Sequence, residues 1–125
     1  MSDPRRALGA QGEERAARYL ERRGWRIEAR NVRAGGVEMD IVASRGATVA
    51  FVEVKTRSSS RHGPGFLAVD ARKQARIIAG AQAWLRTNKT RRFRRVRFDV
   101  ITCHKPGSAR EAWHVEHWPD AFDLT

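Results

Sequence analysis

Cysteine occurs once in the 125 residues, as Cys103, so no intrachain disulfide can form and a reducing compartment is expected. Cys103 closes an apolar run and reads as a buried, inert thiol rather than a nucleophile. Long apolar runs are missing as well: no stretch approaches the ~20 residues a transmembrane helix needs. Met1-Ser2-Asp3-Pro4-Arg5-Arg6 has no apolar signal core, and the chain is expected to be cytoplasmic. No zinc-finger spacing, no heptads after a basic region and no helix-turn-helix pattern is present, and His104, His114 and His117 lack metal-ligand spacing. Acids are short relative to bases, 14 Asp plus Glu against 25 Lys plus Arg, for a formal net charge of +11. That balance favours a polyanionic partner, nucleic acid over an acidic small molecule.

What is present is a hairpin pattern that carries charge. Val37-Glu38-Met39-Asp40-Ile41-Val42-Ala43 and Thr48-Val49-Ala50-Phe51-Val52-Glu53-Val54-Lys55 are rich in apolar and β-branched residues, with Ser44-Arg45-Gly46-Ala47 as the turn. If position 44 faces 47, Asp40 faces Phe51 and Glu38 faces Glu53. Glu38, Asp40, Phe51, Glu53 and Lys55 then share one face, while Met39, Ile41, Val52 and Val54 line the other. Asp40 and Glu53 become diagonal neighbours, and two carboxylates at that separation need a positive charge between them.

Carboxylates without nearby His or Cys suit Mg²⁺, with Mn²⁺ as the competing ion. Lys55, two residues past Glu53, sets an ammonium where an attacking water or a scissile phosphate sits. A lone Glu-x-Lys pair on a strand is more often a surface ion pair. Two acids, a parity-consistent turn, a third acid and a lysine form a more specific set.

The arginines cluster. Arg91, Arg92, Arg94, Arg95 and Arg97 form one block, Arg15, Arg18, Arg22 and Arg23 stud the first helical segment, and Arg57 and Arg61 follow the hairpin. Arg57, Arg61, Arg91, Arg92, Arg94 and Arg95 are candidate nucleic-acid contacts, able to bind phosphate without reading sequence. A first helix is predicted from Pro4 to about Arg23, ended by Gly24, with Leu8, Gly12, Ala16, Tyr19 and Leu20 inward. Glu13 borders that stripe with no base one turn on, which makes it the helix acid to suspect. A strand over Trp25–Asn31, a turn at Arg33–Gly36, a polar loop over Ser58–Gly65 and a helix capped by Asp70 and running to about Asn88 follow. Lys73 and Gln74 occupy that helix's first turn, where they can bracket a phosphate or a water. Val96–Cys103 and Ala112–Trp118 read as the last two strands, with Asp99 structural. Trp113, Trp118 and Phe122 suit packing better than base stacking.

Gly12-Glu13 with Ala16, Tyr19 and Leu20, Arg30-Asn31, Glu38-Met39-Asp40-Ile41-Val42, Phe51-Val52-Glu53-Val54-Lys55-Thr56-Arg57, Lys73-Gln74 and Arg97-Phe98-Asp99-Val100 resemble the YraN family of small bacterial proteins. That family is similar to archaeal Holliday junction resolvases of the PD-(D/E)xK nuclease superfamily. The resemblance runs from about Leu8 to Phe122, although Met39 stands where the superfamily's name has proline. It implies an α/β, restriction-endonuclease-like core in one domain: a mixed central sheet of about five strands flanked by helices. It also implies Asp40 and Glu53 as metal ligands, Lys55 as catalytic lysine, Glu13 as the helix-borne acid, and Glu38 as an accessory acid. The implied activity is Mg²⁺-dependent endonucleolytic hydrolysis of branched or structured DNA in repair or recombination, leaving a 5′-phosphate, by a homodimer. The alternatives are a module of the same fold that grips nucleic acid without cutting it, and a protein-interaction subunit.

Overall fold

In the computed structural model, which describes residues 3–58, 69–89, 92–108 and 110–122, seven elements follow one another. They are α1 (Pro4–Arg22), β1 (Arg26–Ala34), β2 (Val37–Arg45), β3 (Thr48–Arg57), α2 (Ala71–Thr87), β4 (Arg95–His104) and β5 (His114–Phe122). The strands form one mixed sheet in the order β1-β2-β3-β4-β5. β1, β2 and β3 run as an antiparallel meander, β3 and β4 are parallel, and β5 returns antiparallel. A parallel pair needs a long crossover, and α2 supplies it between β3 and β4. The expected α/β class with about five strands and flanking helices is the one observed.

Each helix starts on a side-chain cap. Asp3 accepts from Arg5 N, with Pro4 in the first turn, and Asp70 accepts from Lys73 N at 2.8 Å. The two helices cover opposite faces of the sheet. Ala16, Ala17 and Leu20 of α1 pack with Trp25, Ile41, Ala43, Ala50, Val52, Ile101 and Cys103. Ile77, Ala81 and Trp84 of α2 pack with Val42, Val49, Phe51, Phe98 and Val100. Alternation along β3 and β4 therefore feeds two cores, and the central strands are buried on both sides rather than half solvated. Trp84 is central to the second core, its ring edge-on to Phe51 at 5.8 Å.

Two turns differ from expectation. β1 continues beyond Asn31 to Ala34, because Gly35 and Gly36 alone make the reversal, with φ of 59° and 75°. The β2–β3 reversal sits one residue further along than predicted: Arg45 pairs with Thr48, leaving Gly46, at φ 59°, and Ala47 between. The expected pairing of Ser44 with Ala47 is thus displaced by two residues, which preserves strand parity. β5 runs past Trp118 to Phe122 through Pro119, which an edge strand tolerates because one side makes no ladder bond. Trp113 packs against the α1 core and Phe122 stacks on Phe98 at 5.1 Å, whereas Trp118 stays exposed. Among the described residues, no helix is long and apolar enough to cross a membrane.

Candidate active site

The displaced turn sets the acids in a different relation from the one predicted. The β2–β3 ladder runs Arg45↔Thr48 to Ile41↔Val52 and stops, so Asp40 stands across from Glu53 at the next step instead of facing Phe51. Beyond that step the strands part. The Val54 N–H, which a continued ladder would pair with backbone, donates instead to Asp40 Oδ2 at 2.8 Å. Face alternation also breaks here: Ile41 packs in the α1 core, but Met39 packs in the α2 core, with its Sδ 3.2 Å from where a Cβ on Gly80 would lie. The expected sharing of one face by Met39 and Ile41 is therefore wrong. Asp40 occupies the switch, at a fork between two strands that separate to join different packing surfaces.

Glu13 reaches the fork from the α1 side because α1 lies directly on β3. A Cβ on Gly12 would come within 1.9 Å of Thr56 Oγ1, and Cys103 Sγ sits 3.4 Å from the Gly12 carbonyl. Only glycine permits that approach, and it delivers the next residue to the site. Burial raises the Glu13 carboxyl above its ordinary range, with further upward pressure from Glu38 and Glu53. Asn31, acting as a hydrogen-bond donor to the carboxylate, and Arg30 oppose this rise. Even so, Glu13 Oε1 is buried without a hydrogen-bond partner. Asn31 lies between the register pairs Arg30↔Ile41 and Val32↔Met39, beside Asp40, and has φ 50° inside a strand. A left-handed non-glycine residue at such a place marks a constrained site. In the sequence Asn31 reads as the end of a strand, and a strand pattern carries no signal for its backbone conformation.

Asp40 is the most perturbed acid of the group. Burial first, and then the charge of Glu53, push its carboxyl up to about 7, with Glu13 adding to the rise and the Val54 N–H and Lys73 opposing it. Lys73 Nζ meets Glu53 Oε1 at 2.5 Å, the acid's side chain 13% exposed and the lysine's 49%. Lys55 is drawn below the ordinary lysine range by burial, then by the neighbouring charge of Lys73, with Glu53 opposing. A cleft of about 460 Å³ opens where β2, β3 and the start of α2 meet, lined by Glu38, Asp40, Glu53, Asp70, Arg72, Lys73, Arg76 and apolar Val37 and Ile77. Arg72 and Arg76 were not named from the sequence. Their four-residue spacing around Lys73 is the signal that places all three at one helix start.

The other expected residues divide by position. Gln74 spends its amide on the Val69 carbonyl at 2.6 Å and braces the entry to α2. Arg57 is exposed at the end of β3, beyond Lys55, with Nη1 on the Thr56 carbonyl. Arg94 and Arg95 are tied by their backbone N–H groups to the Ala47 carbonyl, and Arg92 precedes them; Arg95 also pairs with Asp120. Arg95 pairs in register with Thr48, five residues from Glu53, so this block stands roughly 17 Å along the sheet from the acids. A phosphate in the cleft is within reach of Arg72 and Arg76, not of that block. Arg61, Arg91 and the predicted loop beyond Ser58 lie outside the described residues. Asp99 is structural, as expected: fully buried, it accepts from Arg97, from the Asp120 N–H and shares a 2.7 Å contact with His117 Nε2.

As a donor set, three hard carboxylates with one unsatisfied buried oxygen fit Mg²⁺ or Mn²⁺ in chemistry. Among the described residues, no three Asp, Glu, His or Cys side chains stand as a finished cage. One oxygen of Asp40 is held by Val54 and one of Glu53 by Lys73.

Residues 12–103 match the family described as "Uncharacterised protein family UPF0102". Curated relatives named "UPF0102 protein" align over almost their whole lengths. One from Geobacter metallireducens is 45% identical, covering 99% of this chain and 98% of its own. One from Geobacter sulfurreducens is 47% identical, covering 94% and 89%, and one from Chlorobium phaeobacteroides is 42% identical, covering 98% of each.

Proposed function

Since the chain belongs to the UPF0102 family, the YraN family of the resemblance, we propose for it the activity that its own site supports best: Mg²⁺-dependent endonucleolytic hydrolysis of DNA phosphodiesters. Branched or otherwise structured DNA, in repair or recombination, is the proposed substrate class. The observation that carries the reading is the fork itself, where Asp40 stands across from Glu53 with Glu13 near enough to add to the charge, and burial together with these acids holds the Asp40 carboxyl up at about 7. Acids gathered at a broken ladder repel one another, and a bound cation or a held proton relieves that repulsion.

Glu13, Asp40 and Glu53 are the residues that would hold Mg²⁺ or Mn²⁺. When bound, such an ion polarises a phosphoryl oxygen and supplies a nucleophile at neutral pH. The Val54 N–H fixes the Asp40 carboxylate, and its second oxygen is left for the cleft. Lys55, with its proton held less tightly than an ordinary lysine's, orients the attacking water and meets charge developing on the phosphate. Arg72 and Arg76 on the cleft rim bind flanking phosphates. Water oxygen bonds to phosphorus as the P–O3′ bond breaks, leaving a 3′-hydroxyl and a 5′-phosphate.

One observation favours a second reading, a module of this fold that grips nucleic acid without cutting: Glu53 is already neutralised by Lys73. The deciding assay is cleavage of labelled four-way junction, flap, single-stranded and duplex DNA at low salt in Mg²⁺, Mn²⁺ or EDTA. Metal-dependent cutting lost in Asp40→Ala and Lys55→Ala supports the nuclease; salt-sensitive binding without cutting in any metal supports the module.

A further inference from the structure

Lys73 lies where a divalent ion would have to work. Its ammonium is 2.5 Å from Glu53 Oε1, and both line the same cleft as Asp40. The helix beneath it is firmly placed: Asp70 caps the Lys73 N–H at 2.8 Å, and Gln74 holds the Val69 carbonyl at 2.6 Å. Its backbone is anchored while its side chain is half exposed, so the four-carbon stem is the movable part of the pair. The acid is the fixed part, with only 13% of its side chain exposed. The carboxylates form no finished cage while this pair is closed, and Glu13 Oε1 meanwhile remains without a partner. A cation that takes Glu53 Oε1 together with Asp40 and Glu13 meets the lysine as its competitor.

Resting on the metal-dependent reading above, we propose that Lys73 is a resident counter-ion that exchanges. It neutralises Glu53 in the metal-free protein, and a divalent ion releases it to the DNA phosphate at the cleft mouth beside Arg72 and Arg76. Metal binding and phosphate binding are thereby coupled through one side chain. Removing this basic residue from the site should tighten metal binding, because a competitor is gone.

The test compares wild type with Lys73→Met, which keeps the stem and removes the charge, and Lys73→Arg, which keeps the charge. Mn²⁺ affinity is read by calorimetry, melting temperature in EDTA, and affinity for a labelled four-way junction in EDTA and in Ca²⁺. Lys73→Met is expected to melt lower in EDTA, to bind Mn²⁺ about tenfold more tightly, and to lose most of the Ca²⁺-dependent gain in junction affinity. Lys73→Arg should melt like wild type. In wild type, NMR signals of the Lys73 side chain should move when Mg²⁺ is added, a readout that needs no variant to fold. Unchanged or weaker Mn²⁺ binding by Lys73→Met, or a Lys73 signal indifferent to Mg²⁺, overturns the exchange while leaving the metal site standing. Absence of any Mn²⁺ binding that depends on Asp40 overturns the metal reading and this inference with it.

Discussion

Asp40→Asn should make the metal-free protein more stable, and increasingly so as pH rises. The carboxyl is held up to about 7 in the folded chain against an ordinary value of 3.8, chiefly by burial and then by Glu53. A folded state that binds a proton more tightly than the unfolded chain is favoured while that proton is present. The advantage is complete below about pH 4 and is lost as pH rises through 7. At pH 8 both states carry the ionised group, and the folded one bears the cost of burying it beside Glu53, about 4 kcal/mol for a carboxyl raised from 3.8 to about 7. At pH 5 the penalty is only about 1.5–2 kcal/mol. Asparagine cannot ionise, and its carbonyl can still accept from Val54 N. Urea denaturation in EDTA should therefore show Asp40→Asn gaining about 2–3 kcal/mol on wild type between pH 5 and 8. Adding Mg²⁺ at pH 8 should close much of the gap by stabilising wild type alone. A difference that does not vary with pH, or a variant less stable at pH 8, would refute the argument that Asp40 is held by desolvation and by its neighbouring acid.

Gly12→Ala should destabilise the fold by about 2 kcal/mol or more, because the new methyl meets Thr56 Oγ1 at 1.9 Å, and Thr56→Ala in the same chain should restore part of the loss in thermal melts. Asn31→Gly relieves φ 50° but removes the amide beside Glu13, so its melting temperature should hold while DNA cleavage falls about 10–100-fold; unchanged cleavage would assign Asn31 to backbone geometry alone. Asp99→Ala strands Arg97 and His117 against a buried wall and should cost about 3–5 kcal/mol in urea. Burial alone would raise the Asp99 carboxyl, but His117, Arg97 and the Asp120 N–H hold it lower, so this network's contribution stays intact above pH 4 and is lost as acid protonates it.

Much of the architecture was legible because it depends on local pattern. Asp3-Pro4 and Asp70 start helices by chemistry confined to one turn, and the runs around Ile41, Phe51 and Val100 read as strands because they are short, rich in β-branched residues and bounded by turn residues. The acids and Lys55 were likewise visible, since paired carboxylates followed by a lysine on neighbouring strands stand out by type and spacing. The sequence could not show a two-residue shift in register: parity reads the same at 44↔47 and 45↔48, and only the closed turn chooses between them.

The remainder was decided by packing between segments distant in sequence. Met39 turns to the α2 core because Gly80 leaves room for it, which breaks the alternation that the strand pattern predicts and opens the fork. Glu13 enters the site because Gly12 lets α1 lie on Thr56, and Lys73 because the crossover between β3 and β4 brings the start of α2 to Glu53. The basic block at Arg94 and Arg95, the densest charge in the sequence, is carried to the far end of the sheet, while the sparser Arg72 and Arg76 border the cleft. The sequence by itself determined the elements and the chemical types available, because propensity and periodicity act over a few residues. Which side chains meet, and so how far the Asp40 carboxyl is displaced, was decided by tertiary structure, because burial and charge act through space.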